Sequence, residues 1–248
     1  MSDTIIRTAS ADATARIAET AYYELKVYTF KNEIQQKLTE DFYHTAIPAL
    51  NRLRVKNVGV FTESEPSGPS KLYVFIPYSS LEHFAQVSEG LETDQLYQAD
   101  GAAYLNAPAA APAYERIESS LLKAFKGFPE MTVPQKKERI FELRQYQSPT
   151  EAAGKKKIEM FNDQGEIDIF KRLQFNPVFW GETIIGPEMP NLTYMVTFDD
   201  LAAKDAHWNT FLSDEQWKEI SVVPGYSNES LINLITSTIL VPTANSQI

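Results

Sequence analysis

Apolar positions follow two rhythms along the chain, and the succession of rhythms occurs twice. Alternation with period two predicts a strand over Tyr23–Phe30. A helical spacing follows through Ile34, Leu38, Phe42, Ile47, Leu50 and Leu53. The segment Asn57–Thr62 and a second strand over Leu72–Tyr78 flank the turn-rich stretch Glu65-Pro66-Ser67-Gly68-Pro69. A helical region runs from Leu81 to about Leu105, and the Ala/Pro run at 107–113 separates it from a last strand over Tyr114–Ala124. The second half predicts the same order. It has a strand over Ile140–Gln147, then a helical region over Thr150–Leu173 interrupted near Asn162–Gly165. Strands over Val178–Ile185 and Leu192–Phe198 follow, then a helix over Leu201–Ile220 and a strand over Ser230–Val241.

Two phrases mark the duplication. "YELKVYT" at Tyr23 returns as "FELRQYQ" at Phe141, 118 residues later. "LYVFIPYSSL" at Leu72 returns as "LTYMVTFDDL" at Leu192, 120 residues later, each ending in a helix N-cap signal. A period this long is a duplicated domain, not a solenoid repeat. The order βαββαβ, twice, predicts an α+β fold of two tandem ferredoxin-like domains. Each such unit has helices on one sheet face and a bare second face that must be covered. The two halves are expected to cover each other, sheet to sheet, as a pseudo-dimeric α+β barrel. The expected division is a flexible lead-in over 1–21, a first domain over 22–126, a linker over 127–138 and a second domain over 139–248.

Strand alternation sorts the repeated phrase into two faces. Glu24, Lys26 and Tyr28 share one, as do Glu142, Arg144 and Tyr146. Tyr23, Leu25, Val27 and Phe141, Leu143, Gln145 share the other. If the more apolar face packs on the helices, the acid, base and phenol point into the barrel interior. There they form either a closed ion-pair layer or the lining of a ligand pocket. Trp180 and Glu182 share a face of their own strand and join the pocket candidates.

Charge and composition narrow the partners. A net charge of −10 disfavours nucleic acid and anionic membrane as partners of the whole surface. The basic runs Lys136-Lys137-Glu138-Arg139 and Lys155-Lys156-Lys157 are expected on a solvated linker and a solvated helix face. With no cysteine, disulfides, Cys-ligated metals and thiol nucleophiles are excluded, and the compartment stays open. No apolar run is long enough to span a membrane, and the first 20 residues lack a signal-peptide core. The default location is cytoplasmic, or exported if a signal has been trimmed. Uncovered strand edges would favour a homo-oligomer.

Metal and nucleophile motifs are missing. His44, His83 and His207 include no pair at i, i+4. His207, on the last long helix, is the one position suited to ligate haem, and is otherwise a packed helix residue. His44 is expected to pack beside Phe42 and Tyr43, and His83 to be exposed. "GPSKL" at Gly68 and "GYSNE" at Gly225 lack the second glycine of a nucleophile elbow. No metal and no cofactor are expected.

The twin phrases, together with "FWGETIIGPEMPNLTYMVTFDDLAAKDAHWNTFLSDEQWKEI" from Phe179 and its weaker counterpart over Val60–Phe84, make the chain similar to the NIPSNAP family. The resemblance covers nearly everything from Tyr23 on. His207, Trp208, Phe211 and Trp217 resemble the family's second-helix pattern, and the first half lacks those tryptophans. The resemblance implies the dimeric α+β barrel fold but no agreed catalytic activity. It leaves two expectations: a small-molecule-binding or assembly module that uses the barrel interior, or an enzyme of the cofactor-free monooxygenase type in the same place. An oxygenase needs a pocket that holds an ionised substrate and stabilises its anion, and Lys26, Arg144, Tyr28, Tyr146 and Trp180 are the residues that could line it.

Overall fold

A computed structural model describes residues 20–248. The lead-in expected over 1–21 therefore lies outside the described residues, except for its last two. Ala21 is tied down at both backbone groups. Its N–H donates to the Pro129 carbonyl and its carbonyl accepts from the Ala124 N–H.

The first half runs β1 (Tyr22–Thr29), α1 (Glu33–Arg52), β2 (Gly59–Glu63), β3 (Lys71–Tyr78), α2 (Leu81–Thr93), α3 (Gln95–Asp100), α4 (Ala102–Leu105) and β4 (Arg116–Ala124). The second runs β5 (Ile140–Gln147), α5 (Glu151–Asp163), α6 (Glu166–Arg172), β6 (Pro177–Ile185), β7 (Asn191–Phe198), α7 (Leu201–Ser213), α8 (Glu215–Ser221), α9 (Asn228–Leu231) and β8 (Leu234–Pro242). The helical region expected from Leu81 to about Leu105 consists of three helices, because Asp94 caps a new start and Gly101 breaks the second. The strand expected from Ser230 begins only at Leu234, since Asn228–Leu231 forms a helical turn.

All eight strands close one antiparallel barrel in the order β1-β3-β2-β8-β5-β7-β6-β4. Each half contributes four neighbouring strands. The halves are sewn together at two seams, β2 with β8 and β4 with β6. The seams pair the strand edges that had suggested an oligomer, and a closed barrel leaves no edge to recruit another chain.

Three apolar clusters follow from this layout. One lies under the first half's helices and includes Tyr28, Phe42 and Leu50. A second lies under the second half's helices and includes Tyr146, Phe161, Phe170 and Trp180. The third fills the barrel and draws Tyr23, Leu25, Phe75, Phe141, Leu143 and Phe179 from both halves. The expected faces are thus reversed: the apolar set points into the barrel, and the Glu-Lys/Arg-Tyr set points at the helices. An eight-stranded barrel is just wide enough to be filled by side chains. At the level of Tyr23, Phe75, Phe141 and Phe179 it is packed with rings, which leaves no room for paired charges and their partners. The helix layer offers hydroxyls and an indole.

Each long helix starts at a side-chain cap. Asn32, Ser80, Thr150 and Asp200 each accept from the N–H three residues on. Asp200 accepts from Ala203 at 2.7 Å. Asp200→Ala is expected to cost about 1 kcal/mol in urea unfolding. Ser80→Ala, at the equivalent position, should cost a similar amount.

Candidate functional site

The two copies of the repeated phrase build two polar clusters of the same plan. In the second half, Glu142 is 1% exposed and both its oxygens are occupied. Oε1 accepts from Arg144 at 2.8 Å and from the Ser237 hydroxyl at 2.7 Å, and Oε2 accepts from the Trp208 indole at 2.7 Å. The Arg144 guanidinium lies over the Trp208 ring, 4.3 Å from its centroid. Tyr146 and Tyr194 join hydroxyls at 2.8 Å. In the first half, Glu24 accepts from Ser119 at 2.8 Å and Tyr78 at 3.0 Å, with Lys26 at 3.3 Å. Tyr28 meets the Tyr43 hydroxyl at 2.9 Å and accepts from Tyr104 at 3.2 Å. Burial holds Tyr28, Tyr43 and Tyr194 well above the usual phenol range, so each stays protonated.

Each carboxylate is closed on partners of its own half. Ser119 and Ser237 were not singled out in the sequence, yet they stand 118 residues apart like the phrase they serve. That spacing is the signal that could have found them. Tyr78 and Trp208 carry no such signal, because different elements supply the same donation in the two halves.

The other candidates are dispersed. Trp180 is fully buried in the helix layer, packed against Phe128 at 4.9 Å and stacked on Tyr194 at 5.9 Å. Its indole N–H has no partner among the described residues. Glu182 sits in β6, paired with Lys123 of β4 across a seam, and joins neither carboxylate cluster by a hydrogen bond or ion pair among the described residues. The His207 Nδ1 donates to the Leu173 carbonyl at 2.8 Å, and the ring packs on Phe175 and Phe198. His83 does the same for the first half: its Nε2 lies 2.8 Å from the Leu53 carbonyl. His83 is thereby half-buried instead of exposed, and His44 is exposed because it falls on the outer face of α1. Among the described residues, no group of three or more His, Asp or Glu side chains is arranged to hold a metal.

One buried pair contradicts the reading of the lysine run. Lys157 is fully buried, not solvated, and its Nζ donates to the Glu166 carboxylate at 2.8 and 3.2 Å. The rings of Phe161 and Trp217 flank the ammonium at 4.7 and 5.3 Å. Lys155 and Lys156 sit at the surface, one turn position away, so the run itself gives no hint of which lysine turns inward.

The barrel has one open end with space in it. A cavity of about 270 Å³ lies where β1 and β5 run out. Its wall is pseudo-symmetric. Leu25 faces Leu143, Val27 corresponds to Gln145, Glu118 to Thr236, Ser120 to Thr238 and Tyr73 to Thr193. The β6–β7 loop adds Pro187 and Glu188, and Lys71 stands at the rim. The Tyr73 hydroxyl donates to Glu63 at 2.6 Å, and burial first, then Glu63, raises Tyr73 above the ordinary phenol value. The space is just under the range of about 300–1,000 Å³ usual for ligand sites.

Known proteins place this architecture. A candidate monooxygenase of Fusobacterium nucleatum superposes with a TM-score of 0.60 at 10% identity, covering 90% of this chain and 92% of that one. A second, from Lactobacillus acidophilus, gives 0.58 at 12% identity over 90% of this chain and 94% of the other. At such identities the likeness is one of fold alone. A NIPSNAP family protein of Agrobacterium tumefaciens is 21% identical, with a TM-score of 0.39, and covers 44% of this chain and 98% of that one. No curated protein sequence matches the chain. The NIPSNAP family profile matches residues 23–127 and again residues 141–247, one match to each half of the barrel. The chain belongs to the NIPSNAP family, with two copies of the family's domain in tandem.

Proposed function

We propose that this NIPSNAP protein binds a small molecule in the open end of its barrel. The observation that carries the reading is the cavity itself: six strands, three from each half, converge on one polar space on the pseudo-twofold axis. The rest of the barrel is filled with aromatic and aliphatic side chains. Ser120, Thr193 and Thr236 present hydroxyls there, Gln145 an amide, and Glu118 and Glu188 carboxylates. Leu25, Val27 and Leu143 give the floor an apolar patch. Such a lining suits a compact ligand with a small apolar body and several hydrogen-bonding groups. The carboxylate clusters then serve as supports. Glu142 ties β5 to β8 through Ser237 and to α7 through Trp208. Glu24 ties β1 to β4 through Ser119 and to β3 through Tyr78. The strands β1 and β5 carry Leu25, Val27, Leu143 and Gln145 to the cavity.

Native mass spectrometry of protein purified from its own host tests this reading. A retained mass that leaves on denaturation is the expected result. Val27→Trp fills the space and is expected to abolish retention while the chain stays folded. A ligand kept equally by the wild type and Val27→Trp would place it elsewhere.

A further inference from the structure

The other end of the barrel, where β1 and β5 begin, is crossed by the linker, and a cleft opens on each side of it. The clefts are related by the duplication, so each serves as a control for the other. In the second, of about 540 Å³, Asp199 stands just before the cap of α7 and forms an ion pair with Lys137 of the linker. The chain thus supplies its own carboxylate at that helix start, a position that favours negative charge.

In the first cleft, of about 620 Å³, four differences from the second half act together. Ser79 takes the place of Asp199, which removes the built-in anion. Arg54 and Lys56 replace Gln174 and Asn176, which adds two cations that form no ion pair among the described residues. Tyr23 replaces Phe141, which adds a hydroxyl. That hydroxyl is fully buried at the cleft floor and has no hydrogen-bond partner among the described residues. An orphaned buried donor carries a penalty that a ligand atom would relieve. His83 fixes the geometry. It holds the Leu53 carbonyl, next to Arg54, against the first turn of α2.

We propose that this first cleft binds the oxyanion head of a small ligand, a carboxylate or a phosphate, which takes the place that Asp199 fills in the second half. Arg54 and Lys56 supply the charge, and the Tyr23 hydroxyl donates from the floor. Glu82 and Glu130 also line the cleft and select against polyanions. The site lies at the end of the barrel away from Val27 and does not depend on the cavity there.

Titration of the full chain with inorganic phosphate, and separately with acetate, followed by amide NMR shifts, tests the proposal. At least one probe is expected to bind saturably, with shifts centred on Ser79–Glu82. Tighter phosphate binding marks a phosphoryl head, and acetate equal to or tighter than phosphate marks a carboxylate. The double variant Arg54→Gln, Lys56→Asn removes both cations, with the glutamine the second half carries at Gln174, and should weaken binding at least tenfold. Tyr23→Phe, likewise borrowed from the second half, should weaken it several-fold. Lys137→Gln, in the second cleft, should leave it unchanged. Absence of saturable shifts for both probes overturns the proposal. So does binding that survives the double variant, or that falls equally in Lys137→Gln.

Discussion

Replacing Lys157 with alanine is expected to destabilise the chain by about 3–5 kcal/mol, because it leaves a buried carboxylate without its cation. Glu166 is 2% exposed, and among the described residues Lys157 is its one cationic partner at hydrogen-bond distance. Burial raises the Glu166 carboxyl above its ordinary value, against the opposing pull of Lys157. The sign of the pH dependence follows. A carboxyl raised in the folded state holds its proton more firmly there than in the unfolded chain. Its contribution to folding is therefore most favourable at low pH and is lost as pH rises from the ordinary carboxylate value through the raised one. Without Lys157 that raised value moves higher still. The cost of Lys157→Ala should then be smaller near pH 4 than at pH 7 in urea unfolding. The double replacement Lys157→Met, Glu166→Leu should recover most of the loss, since a packed apolar pair is often neutral or better than a buried ion pair. A loss that is the same at both pH values would mean that packing, not charge, dominates this site.

The pair also shows where reading the sequence stops. The order of elements was legible because period two and period 3.6 are set by local geometry, and each half repeats the other. The starts of β4 and β8 were not, and lie two and four residues later than the pattern puts them. The choice of strand face was not. It depends on which side is drier once the barrel closes, and closure is a tertiary event written in no local pattern. Tyr23 and Phe141 look like helix-facing aromatics until β2 meets β8 and β4 meets β6. Lys157 looks like its neighbours until α6 brings Glu166 across to it. The cavity at the barrel mouth was equally hidden, because its walls come from residues far apart in sequence that look like ordinary strand positions. What the duplication did offer, and what pattern reading left unused, is comparison between the halves. Ser119 with Ser237, and Tyr23 against Phe141, can be paired by offset alone.

The two halves also make the second large effect a comparison. Glu142→Leu is expected to cost about 3–5 kcal/mol, because it strands a buried guanidinium together with an indole N–H and a hydroxyl. Glu24→Leu should cost only about 1–2 kcal/mol, since an unpaired group that water can reach recovers much of its solvation. The structural reason is exposure. The Arg144 side chain is 16% exposed beside a carboxylate at 2%, whereas Lys26 is 31% exposed beside one at 10%. Freed from Glu24, the lysine ammonium can turn to solvent. Arg144 lies over the Trp208 ring and is less free to turn. Urea unfolding of both variants, with Arg144→Met combined with Glu142→Leu as the third arm, measures the difference. The double variant should regain part of the loss, because it removes the stranded charge along with its partner. Equal costs in the two halves would mean that the clusters act through packing alone. A cost below about 0.5 kcal/mol for Glu142→Leu, the range of a surface substitution, would mean that the second cluster is no structural lock. Its three-donor carboxylate would then need a binding role to explain it, and the ligand site would have to be sought under the helices instead of in the barrel mouth.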